Sequence, residues 1–280
     1  MTADRIHRAV SADGTEIAGR VHGQGPPLVL VHGSLDDGDT IWGALLPLLT
    51  DRFTCFCVST RGRGASAESD DHSPARLVED VAAFTDGIGE GVGLVGHSSG
   101  AGLALGAAAQ SAAVSGVVAY EPVVPPVINA EDVARVQAAV AHHVEVAAEG
   151  RLADAARVLF TGSPIATDEE VAAMAAAGLF EAMAPYVPVN LTEMQQAAES
   201  GDPGFADPSV LERVSAPVLL LHGSENEGSW ATESVRDLAG RLPDARVREV
   251  AGAAHFGPLL VPEPVAKEIT GFLALARQQA

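Results

Sequence analysis

Runs of consecutive apolar residues alternate with segments of helical periodicity over the first 120 residues of the chain. Fully apolar runs are typical of strands in a parallel sheet, because helices cover both faces of such a sheet. The pattern predicts helices at residues 76–86 and 99–109, where apolar side chains recur at helical spacing. It predicts strands at residues 15–21, 28–31, 53–58, 91–95 and 114–120.

A different pattern begins at residue 122 and continues to about residue 209, a stretch with no convincing strand. Apolar residues repeat at helical spacing over residues 133–147. Further on, Thr167 and Glu170 have the spacing of a capping box, the side-chain arrangement that starts many helices. We therefore expect residues 122–209 to form an all-helical insert, or lid.

The strand pattern returns after this insert. The remaining elements are predicted as strands at residues 217–221 and 246–250 and helices at residues 232–242 and 264–276. Together the patterns predict an α/β fold with a doubly wound, mostly parallel sheet. Its core is expected to comprise residues 1–121 and 210–280, with the helical lid inserted between them.

One predicted junction between a strand and a helix carries a chemically meaningful motif. The sequence Gly96-His97-Ser98-Ser99-Gly100 matches G-x-S-x-G, with Ser98 at its centre. A sharp turn of this kind holds the serine in strained backbone geometry and exposes its hydroxyl, and the glycines avoid a collision. Ser98 is therefore the candidate nucleophile. The alternative is a tight packing turn without catalytic function.

A serine hydroxyl needs a base and a site for the negative charge that develops on the substrate oxygen. His255 lies between the last predicted strand and the last predicted helix, where a doubly wound hydrolase sheet brings a histidine to the serine. The expected oxyanion donors are the backbone N–H groups of Ser99 and Ser34, with Gly33 as second choice after Ser34. The alternatives are a solvated loop histidine and a glycine turn without a catalytic role.

These motifs, taken in chain order, resemble the α/β-hydrolase family in its serine hydrolase branch. The resemblance rests on His32-Gly33-Ser34, the Ser98 motif, the helical insert and the late His255, and it covers nearly all 280 residues. It implies a lid that follows strand 6 of the family's sheet. It also implies chemistry that requires neither a metal nor an organic cofactor.

The sequence departs from the family pattern at the acid of the triad. The family usually has an aspartate three residues after the glycine that is Gly223 here, and this chain has Asn226. An amide can orient a histidine but cannot offset its positive charge. The preferred acid is Glu121, directly at the carboxyl end of the strand at 114–120, since active groups gather at such strand ends. Glu225, Glu227 or no carboxylate at all remain alternatives.

The position of Glu121 adds a finer resemblance. Lactonases of the kind that hydrolyse zearalenone place their triad glutamate after strand 6, and they also carry G-x-S-S-G and a His-Phe pair. This chain has Ser98-Ser99 and His255-Phe256 at the corresponding positions. The resemblance implies a lactone as one possible substrate class.

Composition excludes several other functions. The chain has 37 acidic and 17 basic residues and a formal charge of −20, so binding to nucleic acid is not expected.

No membrane span or secretory segment is apparent, and a cytoplasmic location is expected. The paired cysteines, Cys55 and Cys57, are expected to pack as small hydrophobic side chains, and the adjacent His142 and His143 make a poor metal pair. The sequence leaves the oligomeric state open.

The sequence thus predicts a serine hydrolase that cleaves a carboxylic ester or lactone of a small hydrophobic molecule through an acyl-enzyme. The triad would be Ser98, His255 and Glu121. Met183, Tyr186 and Phe256 are candidates for the pocket wall, although packing inside the lid is the preferred interpretation of the two lid residues. Cleavage of a thioester, an amide or a C–C bond would use the same triad. A ligand-binding protein with slow or no turnover is the alternative outside catalysis.

Overall fold

The computed structural model describes residues 5–123, 129–202, 204–226 and 230–279. In chain order the strands are β1 (Ile6–Val10), β2 (Glu16–Gly23), β3 (Pro27–Val31), β4 (Thr54–Val58), β5 (Val92–His97), β6 (Val114–Tyr120), β7 (Val218–Gly223) and β8 (Ala245–Val250). Within the described ranges they form one sheet in the order β1-β2-β4-β3-β5-β6-β7-β8. β2 runs antiparallel to β1 and β4, and the pairs from β4 to β8 are parallel.

Helices connect the parallel strands and cover the sheet. They are α1 (Leu46–Leu49), α2 (Pro74–Asp86), α3 (Ser99–Ala108), α4 (Ala130–Ala148), α5 (Leu152–Phe160), α6 (Asp168–Ala176), α7 (Leu179–Met183), α8 (Val187–Ser200), α9 (Pro208–Leu211), α10 (Trp230–Arg241), α11 (Gly257–Leu260) and α12 (Pro262–Gln279). Short 3₁₀ turns occupy Ala184–Tyr186 and Gly204–Ala206. The α/β class and the mostly parallel sheet are as the sequence predicts.

Alternate side chains of the central strands pack against opposite layers, because successive residues of a strand point to opposite faces. Leu28 and Leu30 of β3 join one buried cluster that includes Ile269 of α12. Val29 joins the other cluster, which includes Ala104 of α3. Burial on both faces explains why the parallel strands appear in the sequence as continuous apolar runs.

The first strand was not predicted from the sequence. β1 is an edge strand of five residues, and its side chains are exposed or half-buried in alternation. It pairs with β2 alone, so it needs no continuous apolar run. His7 and Arg8 interrupt the apolar pattern there, which removes the signal used for the other strands.

Helices α4 to α9 lie between β6 and β7, and no strand interrupts this part of the chain in the residues that the structure describes. The predicted capping box is present, since Thr167 accepts from the Glu170 N–H and the Glu170 side chain accepts from the Thr167 N–H. Lid residues such as Phe180 belong to the same buried cluster as the core strands. The division at residues 122 and 209 into lid and core stays a prediction.

Two further expectations concern single residues. Cys55 and Cys57 are free and buried in one hydrophobic cluster, as predicted for small apolar side chains. Met183 was a candidate for the pocket wall, but it is 3% exposed and packs in that same cluster. The preferred interpretation, packing inside the lid, therefore describes Met183.

Candidate active site

Ser98 lies at the sharp turn between β5 and α3. Its backbone has φ 56° and ψ −124°, a strained conformation for a residue with a side chain. A Cβ at Gly100 would approach the His32 carbonyl oxygen to 2.2 Å, and one at Gly96 would approach the Gly100 carbonyl oxygen to 2.3 Å. The two glycines are therefore required by close backbone packing, as the motif predicts.

His255 lies in the loop between β8 and α11 and is 1% exposed. Its Nδ1–H donates to Glu121 Oε2 across 2.9 Å. The His97 ring holds this loop in place, because His97 Nε2–H donates to the His255 carbonyl oxygen across 2.8 Å. His255 and Ser98 line the same cavity, which has a volume of about 160 Å³. The remaining ring nitrogen of His255, Nε2, is thereby left for a proton from the serine.

Glu121 follows the last residue of β6 and is fully buried. Its backbone has a positive φ of 48°. While Oε2 accepts from His255, Oε1 accepts from the Gly223 backbone N–H at 2.7 Å and from Asn226 Nδ2 at 2.5 Å. The carboxylate therefore receives three hydrogen bonds. Asn226, at the position where the family usually has its aspartate, donates to the carboxylate instead of replacing it.

The two alternative acids are placed differently. Glu225 is exposed on the chain segment after β7, and its Oε1 accepts from the neighbouring Ser224 hydroxyl at 2.8 Å. Glu227 lies outside the described residues. Glu121 is thus the carboxylate that the described structure brings to His255.

Burial controls the protonation of this Glu–His pair. Burial raises the pKa of Glu121 to about 7, although the Gly223 N–H, the Asn226 amide and His222 act in the opposite direction. Burial lowers the pKa of His255 to about 3, so its ring is neutral at neutral pH. Burial also holds the pKa of His97 well below its ordinary value, so that ring adds no positive charge beside His255. A neutral histidine is the form that can accept a proton.

The predicted oxyanion donors lie on the loop after β3 and at the first residue of α3, which pack together at Ser98. The Ser34 and Ser99 hydroxyls are 3.2 Å apart, and Gly33 packs against Ser98 and His97. Among the described residues, the Ser34 N–H donates to no backbone acceptor outside the helices and strands, and Ser99 is the first residue of α3, whose N–H has no partner within the helix. His32 fixes the first loop, since its Nε2 accepts from the Thr60 N–H at 3.2 Å. Both N–H groups are therefore available to a ligand oxygen.

Two cavities meet at Ser98. The larger has a volume of about 440 Å³ and the smaller about 160 Å³, and both are lined by Ser34, Ser98 and Asn190. Phe256, a candidate for the pocket wall, lines the smaller cavity. Tyr186 is absent from the described lining of both cavities, and its hydroxyl donates to Asp37 Oδ2 at 2.7 Å. The described lining of the two cavities therefore gives no support to Met183 or Tyr186 as pocket wall.

The sequence reading missed one side chain that supports the site. Glu170 belongs to the predicted capping box, but its Oε1 also accepts from the Phe256 backbone N–H at 2.6 Å. Glu170 thus connects α6 to the residue after His255. Burial raises the pKa of its carboxyl to about 7. The capping motif was visible in the sequence, whereas the second contact depends on tertiary packing and had no local signal.

The described residues contain neither a metal-binding cluster nor a single membrane-spanning helix. No group of three or more histidine, cysteine, aspartate or glutamate side chains there has the arrangement of a metal site. No single helix is long and apolar enough to cross a membrane, and one bent pair, Asp168–Ala176 with Leu179–Ala206, passes by length and composition only.

A sequence model of the alpha/beta hydrolase family matches residues 28–268. The chain belongs to the alpha/beta hydrolase family. The match runs from β3 into α12 and includes Ser98, Glu121 and His255, so the family assignment covers the whole of the site described above.

Relatives of this alpha/beta hydrolase include other hydrolases. A 2-(acetamidomethylene)succinate hydrolase from Mesorhizobium japonicum is 27% identical over 284 residues, which cover 96% of this chain and 95% of that protein. An alpha/beta hydrolase from Sphaerobacter thermophilus is 29% identical with a TM-score of 0.72, covering 95% of this chain and 99% of that one. The esterase RhEst1 from Rhodococcus sp. ECU1013 has a TM-score of 0.72 at 23% identity, covering 96% and 98%. The family and these relatives support a hydrolase.

Proposed function

We propose that this hydrolase cleaves carboxylic esters, including lactones, through a Ser98-His255-Glu121 triad. The observation that carries the proposal is the 2.9 Å bond between His255 Nδ1 and Glu121 Oε2, at the edge of the cavity that contains Ser98. This bond selects the tautomer in which Nε2 is free to accept a proton. A cleft with a strained serine, a neutral histidine and a buried carboxylate has the composition of a nucleophilic site.

The reaction follows from these groups. His255 Nε2 takes the Ser98 proton while Ser98 Oγ forms a bond to the ester carbonyl carbon, and the carbonyl oxygen accepts from the Ser34 and Ser99 N–H groups. His255 then protonates the departing alcohol oxygen, and the acyl group stays on Ser98. Water attacks the acyl-enzyme with the same base, which releases the acid and restores the serine. Glu121 stabilises the positive charge that His255 carries in both steps.

The shape and lining of the larger cavity support a hydrophobic substrate of moderate size. Its volume of about 440 Å³ falls within the usual range for small-molecule sites. Its apolar lining residues include Leu77, Val78, Leu103, Ile165, Met194 and Phe205. The lactone form of the substrate is favoured by the position of Glu121 at the end of β6, the feature that resembles lactonases of the zearalenone-hydrolysing kind.

Cleavage of an acetamide is the second candidate. The relative from Mesorhizobium japonicum has an acetamido group in the name of its substrate. A pyrrolizixenacetamide deacetylase from Xenorhabdus hominickii is also similar, at 34% identity over 94 residues that cover 32% of this chain and 34% of that protein. An amide would use the same triad, with an amine as the group that His255 protonates.

Two glutamate variants test the triad. Glu121→Gln preserves size and most hydrogen bonds but removes the charge that stabilises protonated His255, so kcat should fall by roughly 10⁴. Glu225→Gln makes the same chemical change on the nearby exposed alternative and should leave kcat unchanged. The measurement is steady-state hydrolysis of p-nitrophenyl esters and of a macrocyclic lactone. Equal activity of Glu121→Gln and the unmodified protein would remove Glu121 from the mechanism.

A further inference from the structure

The larger cavity at Ser98 contains one buried ion pair within a mostly apolar lining. Arg63 comes from the loop after β4, and Glu193 comes from α8 of the lid. Both residues line the cavity. The pair therefore lies at the boundary between core and lid, inside the space that a substrate would occupy.

The geometry of the pair uses most of the guanidinium. Arg63 Nη1 donates to Glu193 Oε1 at 2.7 Å, and Nη2 donates to Oε2 at 2.8 Å. Nη1 also donates to the Thr60 hydroxyl at 2.9 Å. Arg63 is 3% exposed. An arginine commonly binds a carboxylate ligand through two such hydrogen bonds. Here the Glu193 side chain already accepts both of them.

The rest of the described lining supplies no second permanent cation, and its histidines are His32 and His72. Arg63 is the one arginine there, and lysine is absent. Burial lowers the pKa of His32, which also lines the cavity, to about 3, so that ring is neutral. Asp202 is exposed in the lining and adds negative charge. The segments outside the described residues contain neither lysine nor arginine in their sequence, so they add no basic side chain.

We propose that the Arg63–Glu193 pair makes this cavity selective for uncharged substrates, with Glu193 as the residue that excludes carboxylates. The proposal rests on ester hydrolysis at Ser98 and specifies its substrate class. A substrate carboxylate loses its bound water on entering the cavity. Because Glu193 already neutralises Arg63, the carboxylate gains no ion pair that would offset this desolvation cost. Apolar walls and the overall charge of −20 act in the same direction.

A matched pair of esters tests the selectivity of the unmodified protein. p-Nitrophenyl hexanoate and mono-p-nitrophenyl adipate have acyl chains of the same length, ending in a methyl group and in a carboxylate. At pH 8 we expect kcat/KM for the hexanoate to exceed that for the adipate by at least about tenfold, the effect of about 1.4 kcal/mol. Equal or faster hydrolysis of the adipate would overturn the proposal.

Substitution of Glu193 tests its role directly. Glu193→Gln removes the charge that neutralises Arg63, so the ratio of kcat/KM values should shift toward the adipate by about tenfold or more. Glu199→Gln makes the same change on the same helix, at an exposed residue outside the described cavity lining, and should leave the ratio unchanged. An unchanged ratio in Glu193→Gln, with circular dichroism and thermal unfolding as in the unmodified protein, would overturn the assignment.

Binding separates this inference from the proposed reaction. Ser98→Ala keeps the cavity, so calorimetry can compare its affinities for the two intact esters without turnover. Tighter binding of the hexanoate supports the selectivity of the cavity. If the unmodified protein hydrolyses neither ester, the proposed ester hydrolysis is refuted, but the binding result still supports the selectivity. Equal or tighter binding of the adipate would contradict the selectivity whatever the reaction. This comparison also tests the selectivity of the cavity if Glu193→Gln fails to fold.

Discussion

At the scale of single residues, the carboxylate beside His255 comes from residue 121, and the position where the family usually has its aspartate, residue 226, is an asparagine. The carboxylate comes from Glu121 at the end of β6, and Asn226 after β7 donates to it across 2.5 Å. A second carboxylate at residue 226 would face Glu121 at that distance, and two like charges so close cannot both ionise readily. The asparagine is therefore the complement of Glu121, and its presence does not indicate a weakened site.

The protonation of Glu121 predicts the pH dependence of activity. Its pKa is raised to about 7 by burial, so the carboxyl is neutral below that pH and charged above it. Only the charged form stabilises protonated His255. We therefore expect kcat/KM for a neutral ester to increase with pH up to about 7 and then to reach a plateau. Rates measured from pH 5 to 9 check this, and a flat profile across that range would contradict it.

Asn226→Asp provides the second arm of that pH experiment. A carboxylate beside Glu121 Oε1 disfavours ionisation of the Glu121 carboxyl, so the rise in kcat/KM should move to higher pH by about one unit or more. Ser224→Ala, a change two residues earlier in the chain at an exposed position, should leave the profile in place. A profile in Asn226→Asp identical to that of the unmodified protein would mean that the amide does not control Glu121.

At the scale of elements, one side chain connects a lid helix to the histidine loop. Glu170 closes the capping box of α6 through Thr167 and also accepts from the Phe256 N–H. A movement of α6 would therefore disturb the loop that holds His255. The stability of the fold therefore depends on the protonation state of the buried Glu170 carboxyl.

The raised pKa of Glu170 predicts a pH-dependent stability. Its folded-state pKa is about 7 and its ordinary value is 4.5, so the folded protein binds this proton more tightly than the unfolded chain. The resulting stability is fully present below pH 4.5 and is lost as the pH rises through 7. The free energy of unfolding should therefore fall relative to that of Glu170→Gln over this range, by up to about 3 kcal/mol.

Urea unfolding at several pH values measures this difference. Glu169→Gln, the exposed neighbour on α6, provides the control and should follow the unmodified protein at every pH. A constant difference between Glu170→Gln and the unmodified protein from pH 5 to 8 would show that burial does not raise the pKa of Glu170.

A second connection between elements is a buried ion pair. Arg61, in the loop after β4, donates to both carboxylate oxygens of Asp80 on α2, at 2.7 and 2.6 Å, and both side chains are fully buried. Arg61 also pairs with Asp13 at 2.8 Å, so Asp80→Asn removes one of its two carboxylate partners and should lower the free energy of unfolding by about 2 kcal/mol. The adjacent Glu79→Gln breaks a more exposed pair with Arg76 and should have little effect. Equal unfolding curves for the two variants would contradict this account.

At the scale of the whole molecule, the parts that the sequence predicts well are those with strong local signals. The parallel strands are buried on both faces, so their apolar runs are continuous, and the Ser98 turn requires glycines at fixed positions. Glu121 was found because strand ends meet at one edge of a parallel sheet. β1 escaped prediction, since an edge strand with alternating exposure carries polar residues.

The contacts between lid and core could not be predicted from the sequence. Met183 and Tyr186 are apolar or aromatic lid residues. Their residue types alone do not show whether the side chains line a cavity or pack inside the protein. Arg63 and Glu193 are 130 residues apart, and their pairing depends on how α8 lies over the core. Such contacts depend on tertiary packing, for which a single sequence provides no periodic or local pattern.

Every proposed step requires Ser98 to be an activated nucleophile, and labelling with a fluorophosphonate measures this property. Intact mass spectrometry would compare the unmodified protein with Ser98→Ala after exposure to the probe. We expect a single adduct on the unmodified protein and none on Ser98→Ala. The absence of an adduct on the unmodified protein, or an equal adduct on Ser98→Ala, would contradict this expectation.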